Sequence, residues 1–83
     1  MPIRVRVLYF GQAREAAGTG EEVVSLPAAS SVKAFLDYSM KAHEGLRSLS
    51  GLMRVAVNEE MAGKEARLAD GDVIALLPPV AGG

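Results

Sequence analysis

Two arginines decide how the first ten residues can fold. Ile3, Val5, Val7 and Tyr9 alternate with Arg4, Arg6, Leu8 and Phe10. Period-two alternation with β-branched residues reads as a strand with one buried face. A slip of one residue would bury both guanidinium groups, so Ile3, Val5, Val7 and Tyr9 point inward. Leu8 and Phe10 then share the arginine face. The same two charges interrupt the apolar run, which does not suit a signal-peptide core.

The rest of the chain supplies short elements. Gly18 and Gly20 mark a turn, and Glu21–Leu26 reads as a second strand stopped by Pro27. Strands this close in sequence pair as an antiparallel hairpin. Ser30 or Ser31 is a candidate N-cap. Val32, Phe35, Leu36, Ser39 and Met40 follow at the spacing of an amphipathic helix, with Gly45 as its expected stop. Lys33, Asp37 and Lys41 lie on the opposite side and can pair weakly. This is the one helix the pattern supports. Leu46–Leu52 reads as irregular or a single helical turn. Met53–Val57 reads as a strand, Asn58-Glu59-Glu60 as a turn, and Met61 as the start of a short return strand. Asp70-Gly71-Asp72 is a further turn, and Val73–Leu77 is the last strand, ended by Pro78 and Pro79. The order β-β-α-β-(β)-β, with one helix on one face of a small mixed sheet, is a two-layer α+β domain.

Length and composition narrow the function. Eighty-three residues make one domain. A chain of this size buries only about 60% of its unfolded surface, too little for a core plus a large enclosed active site. The net charge of −1 gives no excess for gripping a nucleic-acid backbone. The longest uncharged apolar stretch, Val73–Ala81, is far shorter than the roughly 20 residues of a spanning helix. No nucleic-acid or membrane partner is expected, and a cytoplasmic location is. With no Cys and one His, a disulfide framework, a zinc site, a catalytic thiol and a His-based triad all drop away.

The remaining side chains have plain explanations. His43 suits the C-terminal end of the helix and its dipole. Glu21-Glu22 and Glu59-Glu60 are not expected to form a paired-carboxylate or metal site, because neighbours on a strand point to opposite faces and turn residues face water; both pairs are read as solvated. Ser30-Ser31 is explained by capping. Gly18-Thr19-Gly20 lacks the further glycine and the lysine of phosphate-binding loops. No metal ligand set and no tightly bound cofactor are expected.

The C-terminus carries the chemistry. Pro78-Pro79-Val80-Ala81-Gly82-Gly83 follows a strand directly. The prolines favour an extended exit, and every residue after them is small. Six residues reach about 20 Å. Two glycines without Cβ atoms can thread a channel that other residues would block. The group at the end is a free α-carboxylate, which becomes reactive once activated, for instance as a mixed anhydride with AMP. Terminal residues are often merely frayed. Here the strand, the stiff proline base and the outward apolar residues Leu8, Phe10 and Leu77 beside the tail argue for more. The expected division is residues 1–77 as the folded domain and residues 78–83 as an extended flexible tail.

The whole chain resembles the ubiquitin-like, β-grasp sulfur carriers, and most closely the family of molybdopterin synthase small subunits. The resemblance rests on Val7-Leu8-Tyr9-Phe10-Gly11-Gln12-Ala13-Arg14-Glu15, on Val57-Asn58 and its turn, on Asp70-Gly71-Asp72-Val73, and on the ending Pro78-Pro79-Val80-Ala81-Gly82-Gly83. It implies that an E1-like enzyme spends ATP to adenylate Gly83. A sulfurtransferase or other sulfur donor then supplies the sulfur of a C-terminal thiocarboxylate. The tail (Pro78, Pro79, Val80, Ala81, Gly82, Gly83) enters the large synthase subunit and passes sulfur to cyclic pyranopterin monophosphate, building molybdopterin for the molybdenum cofactor. The chain is then a non-catalytic, sulfur-donating subunit. The resemblance also implies an apolar docking patch at Phe10, Met61 and Leu77. Some relatives carry an aromatic residue where this chain has Leu77, which keeps the patch apolar but removes ring area.

Three other readings share the fold. The carrier could serve thiazole synthesis or tRNA thiolation. The activated Gly83 could be joined to lysines, as in a ubiquitin-like protein modifier. An interaction domain with an inert tail predicts that removing Gly82-Gly83 changes nothing. The Pro-Pro-Val-Ala-Gly-Gly ending favours the molybdopterin branch.

Overall fold

In the computed structural model, which describes residues 1–49 and 51–78, strand β1 spans Ile3–Tyr9. Its burial alternates as the arginines require. Ile3, Val5, Val7 and Tyr9 are buried, Arg4 and Arg6 are exposed, and Leu8 lies between. Strand β2 (Glu21–Leu26) pairs antiparallel with β1, with Val5 opposite Val24 and Ile3 opposite Leu26. Strand β5 (Val73–Leu77) pairs parallel with β1 and antiparallel with β3 (Arg54–Val57). Strand β4 (Glu60–Met61) closes the far edge, giving the order β2-β1-β5-β3-β4.

One helix crosses the inner face of this sheet. It is α2 (Val32–Ala42), which follows a shorter helix, α1 (Gly11–Ala17). Ser31 caps α2, its Oγ accepting the Ala34 N–H at 3.1 Å. Val32, Phe35 and Ser39 are buried, and Leu36 and Met40 pack beside them, which is the predicted stripe. On the outer side, Lys33 and Asp37 form the i,i+4 pair. Inward residues of β1, β2, β3 and β5 meet Phe35 in a single core, joined by Leu46 and Leu68. This mixed sheet holding a helix is the ubiquitin-like β-grasp arrangement.

The structure adds a helix that the sequence pattern leaves as a turn. Helix α1 (Gly11–Ala17) lies between β1 and β2, so α2 is not the only helix. Its Gln-Ala-Arg-Glu-Ala-Ala run has good helix propensity. The helix buries only Ala13 and has no side-chain cap at Phe10, so neither an apolar stripe nor a capping residue announces it.

Gly45 also plays a different part. Helix α2 ends at Ala42, with His43 as its C-cap and the His43 N–H bonded to Ser39 O. Gly45 sits in the following 3-10 helix, Glu44–Leu49, where a Cβ would lie 3.0 Å from Ala16 O. Its smallness allows close packing on α1 rather than ending α2.

Two turns hold the other end of the sheet. Asn58 (φ 52°) and Glu59 (φ 71°) form the β3–β4 turn. Asn58 Nδ2–H donates to Asp72 Oδ1 at 2.9 Å, and Asn58 Oδ1 accepts the Val73 N–H at 3.0 Å. Asp72 Oδ2 accepts the Ala69 N–H, and Asp70 Oδ1 accepts the Arg4 N–H, each at 2.8 Å. The two turn motifs are thus one hydrogen-bonded unit that fixes where β5 begins.

Candidate functional site

Strand β5, which precedes the predicted tail, occupies the middle of the sheet. Ile74 and Leu76 are fully buried beneath it, while Val73, Ala75 and Leu77 lie half-buried on the opposite, open face. The Phe10 N–H donates to Leu76 O at 3.4 Å, extending the parallel pairing one step past Tyr9. The root of the tail is therefore held on both sides. Pro78 is described. Pro79, Val80, Ala81, Gly82 and Gly83 lie outside the described residues.

The open face is an apolar surface built from cross-strand neighbours. Leu8 stands opposite Ala75, Ala75 opposite Ala56, and Ala56 opposite Met61, a row that crosses four strands. Phe10 lies beyond Leu8 and is 45% exposed; Met61 is 59% exposed. Met61 and Leu77 come together, lining an open depression of about 650 Å³ with Leu52, Met53, Arg54 and Pro78. Phe10 is on the other side of β5, outside that lining. Leu52 was missed in the sequence because it falls in the stretch read as irregular, although it is 55% exposed at the edge of the depression. Arg54, exposed and opposite Leu77, puts a cation on the rim.

The titratable side chains serve the fold. Glu22 is not a solvated partner of Glu21. It shares the inward parity of Val24 and Leu26, and this could have been read from the strand alternation. Glu22 Oε1 accepts hydrogen bonds from the Tyr9 hydroxyl and from His43 Nε2, the latter at 2.8 Å. The Tyr9 and His43 rings meet edge to face, with centroids 5.8 Å apart. Burial pushes the Glu22 carboxyl up, but the hydrogen bonds from Tyr9 and His43 and the charge of His43 outweigh it, leaving it below its ordinary range. Burial, then the Glu22 bond and charge, push the Tyr9 hydroxyl well above its ordinary range. Glu21 takes the other side of β2 and pairs with Arg6. Among the described residues, no three His, Asp or Glu side chains converge as a metal site, and no helix is long and apolar enough to cross a membrane.

A depression beside the root of a C-terminal strand, on a domain whose polar clusters are structural, fits a protein that presents its terminus to others. Comparisons with known proteins place the chain in a family. A molybdopterin synthase sulfur carrier subunit of Mycobacterium tuberculosis is 38% identical over 82 residues, covering 98% of this chain and 99% of that protein. A putative molybdopterin converting factor subunit 1 from Pyrococcus furiosus superposes with a TM-score of 0.86 at 30% identity, covering 94% of this chain and 99% of that one. A chain in a complex of subunits 1 and 2 of molybdopterin-converting factor from Helicobacter pylori is 32% identical, with a TM-score of 0.68, covering 98% of this chain and all of that one. The ThiS family matches residues 7–83, from the inward Val7 of β1 to the terminal glycine, and the chain belongs to that family.

Proposed function

We propose that this protein is a cytoplasmic sulfur carrier of molybdopterin synthesis, acting as the small subunit of the synthase. The similarity to a molybdopterin synthase sulfur carrier over 98% of the chain carries this reading. The central position of β5 supports it, because that strand brings the terminal six residues out of the most firmly held part of the sheet.

The chemistry needs no catalytic side chain from this chain. The Gly83 carboxylate attacks the α-phosphorus of ATP in an E1-like enzyme, forming an acyl adenylate and releasing pyrophosphate. A hydrosulfide equivalent from the sulfur donor adds to the acyl carbon and expels AMP, leaving a thiocarboxylate. In the large subunit that sulfur displaces an oxygen substituent of cyclic pyranopterin monophosphate, forming an acyl thioester, and water then cleaves the acyl carbon–sulfur bond, so the sulfur stays on the pterin and the tail leaves as a carboxylate. A dithiolene holds two sulfurs, so two loaded chains are consumed for each product. The Helicobacter pylori complex supports a large-subunit partner. The apolar row of Leu8, Ala75, Ala56 and Met61, with Phe10 and Leu77 beside it, is the docking face in this reading. Residues 78–83 are the tail.

The test is the mass of the C-terminal peptide before and after incubation with ATP, an E1-like enzyme and a sulfur source. Conversion to a thiocarboxylate adds about 16 Da, the same increment as methionine oxidation, so the shift must map to Gly83 and reverse on mild hydrolysis. An unchanged C-terminal peptide after that incubation would overturn the reading in favour of an interaction domain with an inert tail.

A further inference from the structure

Strands β1 and β5 run parallel, so their C-terminal ends lie side by side, and there β1 turns away while the chain of β5 continues to Pro78. The strand that turns is β1. Phe10 is still extended (φ −122°, ψ 151°) and bonded to Leu76 O. Gly11 then takes φ +51° and starts α1. The ring of Pro78 lies directly over it. A Cβ on Gly11 would stand 2.9 Å from Pro78 Cγ and 3.9 Å from Pro78 Cδ. At 2.9 Å, something has to shift. The proline ring is rigid and part of the main chain, so a shift there turns the chain that follows.

We infer that Gly11 is a positioning residue for the reactive tail. By leaving room for the Pro78 ring, it sets the direction in which residues 79–83 leave the sheet. The inference rests on the sulfur-carrier reading for its functional consequence, but its geometric half stands alone. Gly11 satisfies two requirements at once, a positive φ and an absent Cβ. Asparagine separates them, because it tolerates positive φ yet carries a Cβ. Removing the Pro78 ring separates them from the other side.

The experiment compares wild type, Gly11→Asn, Pro78→Ala and the double variant. The chain has no Cys, so Ala81→Cys in each background gives a unique site for a nitroxide label. The pattern of amides broadened by the label reads tail direction with no chemistry involved. Unlabelled chains, prepared chemically with a C-terminal thiocarboxylate, are assayed for sulfur transfer with the large subunit. In Gly11→Asn, the broadened set is expected to move and transfer to fall by about 10- to 100-fold, the scale on which a misplacement of about 1 Å acts. The double variant is expected to return to the pattern and rate of Pro78→Ala alone. An unmoved pattern in Gly11→Asn overturns the inference. So does a moved pattern that the double variant does not restore, because disruption of α1 would persist without the ring. A restored pattern with transfer unchanged throughout overturns the link to the reaction. If wild type itself transfers no sulfur, the carrier reading fails, and the label pattern alone still decides whether Gly11 aims the tail.

Discussion

Glu22 accepts a 2.8 Å hydrogen bond from His43, tying the start of β2 to the residue that caps the end of α2. The same oxygen accepts from Tyr9, so one carboxylate joins two strands and a helix end. Ion pairs at a surface contribute little, but here both side chains are partly buried, at 19% and 30% exposure.

The acid limb of stability should therefore depend on Glu22. Its folded pKa lies below the unfolded value of about 4.3, so its contribution is complete above that pH and is lost as pH falls through the folded value. Glu22→Gln is expected to cost about 1–2 kcal/mol at neutral pH and to flatten the decline below about pH 4. Urea midpoints at pH 7, 4 and 3 measure this; an acid slope equal to wild type would count against it. Tyr9 works at the other extreme. Its raised pKa means stability falls as pH rises above about 10, where the unfolded phenol ionises and the folded one does not.

Asn58 is expected to be costly to replace although it is a turn residue. Asn58→Ala removes the bonds to Asp72 and Val73 and places alanine at φ 52°. A loss of about 2 kcal/mol is expected, combining two modest hydrogen bonds with the left-handed conformation. Asn58→Gly keeps the conformation and loses only the bonds, so it should fall between. Equal stability of all three in denaturant titrations would show that the turn does not depend on the side chain.

Phe10→Arg tests the docking face. Phe10 is 45% exposed, so stability should change by no more than about 0.5 kcal/mol. Binding to the large subunit, read by calorimetry, is expected to weaken about tenfold or more, equivalent to about 1.4 kcal/mol. Undiminished binding would place the interface elsewhere.

In the sulfur-carrier reading, Gly83→Ala should leave unfolding unchanged and sharply slow adenylation, because a Cβ would have to enter a pocket that admits glycine. Release of pyrophosphate from ATP in the presence of the E1-like enzyme reports it directly. A wild-type rate would remove the argument from the tail's slenderness.

Much of the sheet was legible because burial on one face leaves a period of two. Arg4 and Arg6 settled the register of β1, and the bounds of β2 and β5 followed from Pro27 and Pro78. The stripe of α2 was equally plain. Most of what escaped had no periodic signature; Glu22 is the exception, because its parity with Val24 and Leu26 already turned it inward. Helix α1 buries a single alanine, so its only trace was propensity. Gly45 looked like a helix stop because sequence shows a glycine but not the neighbour it packs against, Ala16. Glu22 looked solvated because a charged residue at a strand end reads as exposed until His43, 21 positions away, is placed beside it. Of the site, Met61 and Leu77 meet in one depression, Leu52 joins them unannounced, and Phe10 stands across β5.

The central place of β5 also has a mechanical consequence. In the sulfur-carrier reading, a pull on the chain beyond Pro78 loads a strand bonded on both sides, to β1 and to β3. Those ladders lie across the direction of force, so sliding β5 out means breaking them together rather than one after another. An edge strand would peel. In the same reading, a partner could draw the chain beyond Pro78 into its pocket and release it without unravelling the sheet.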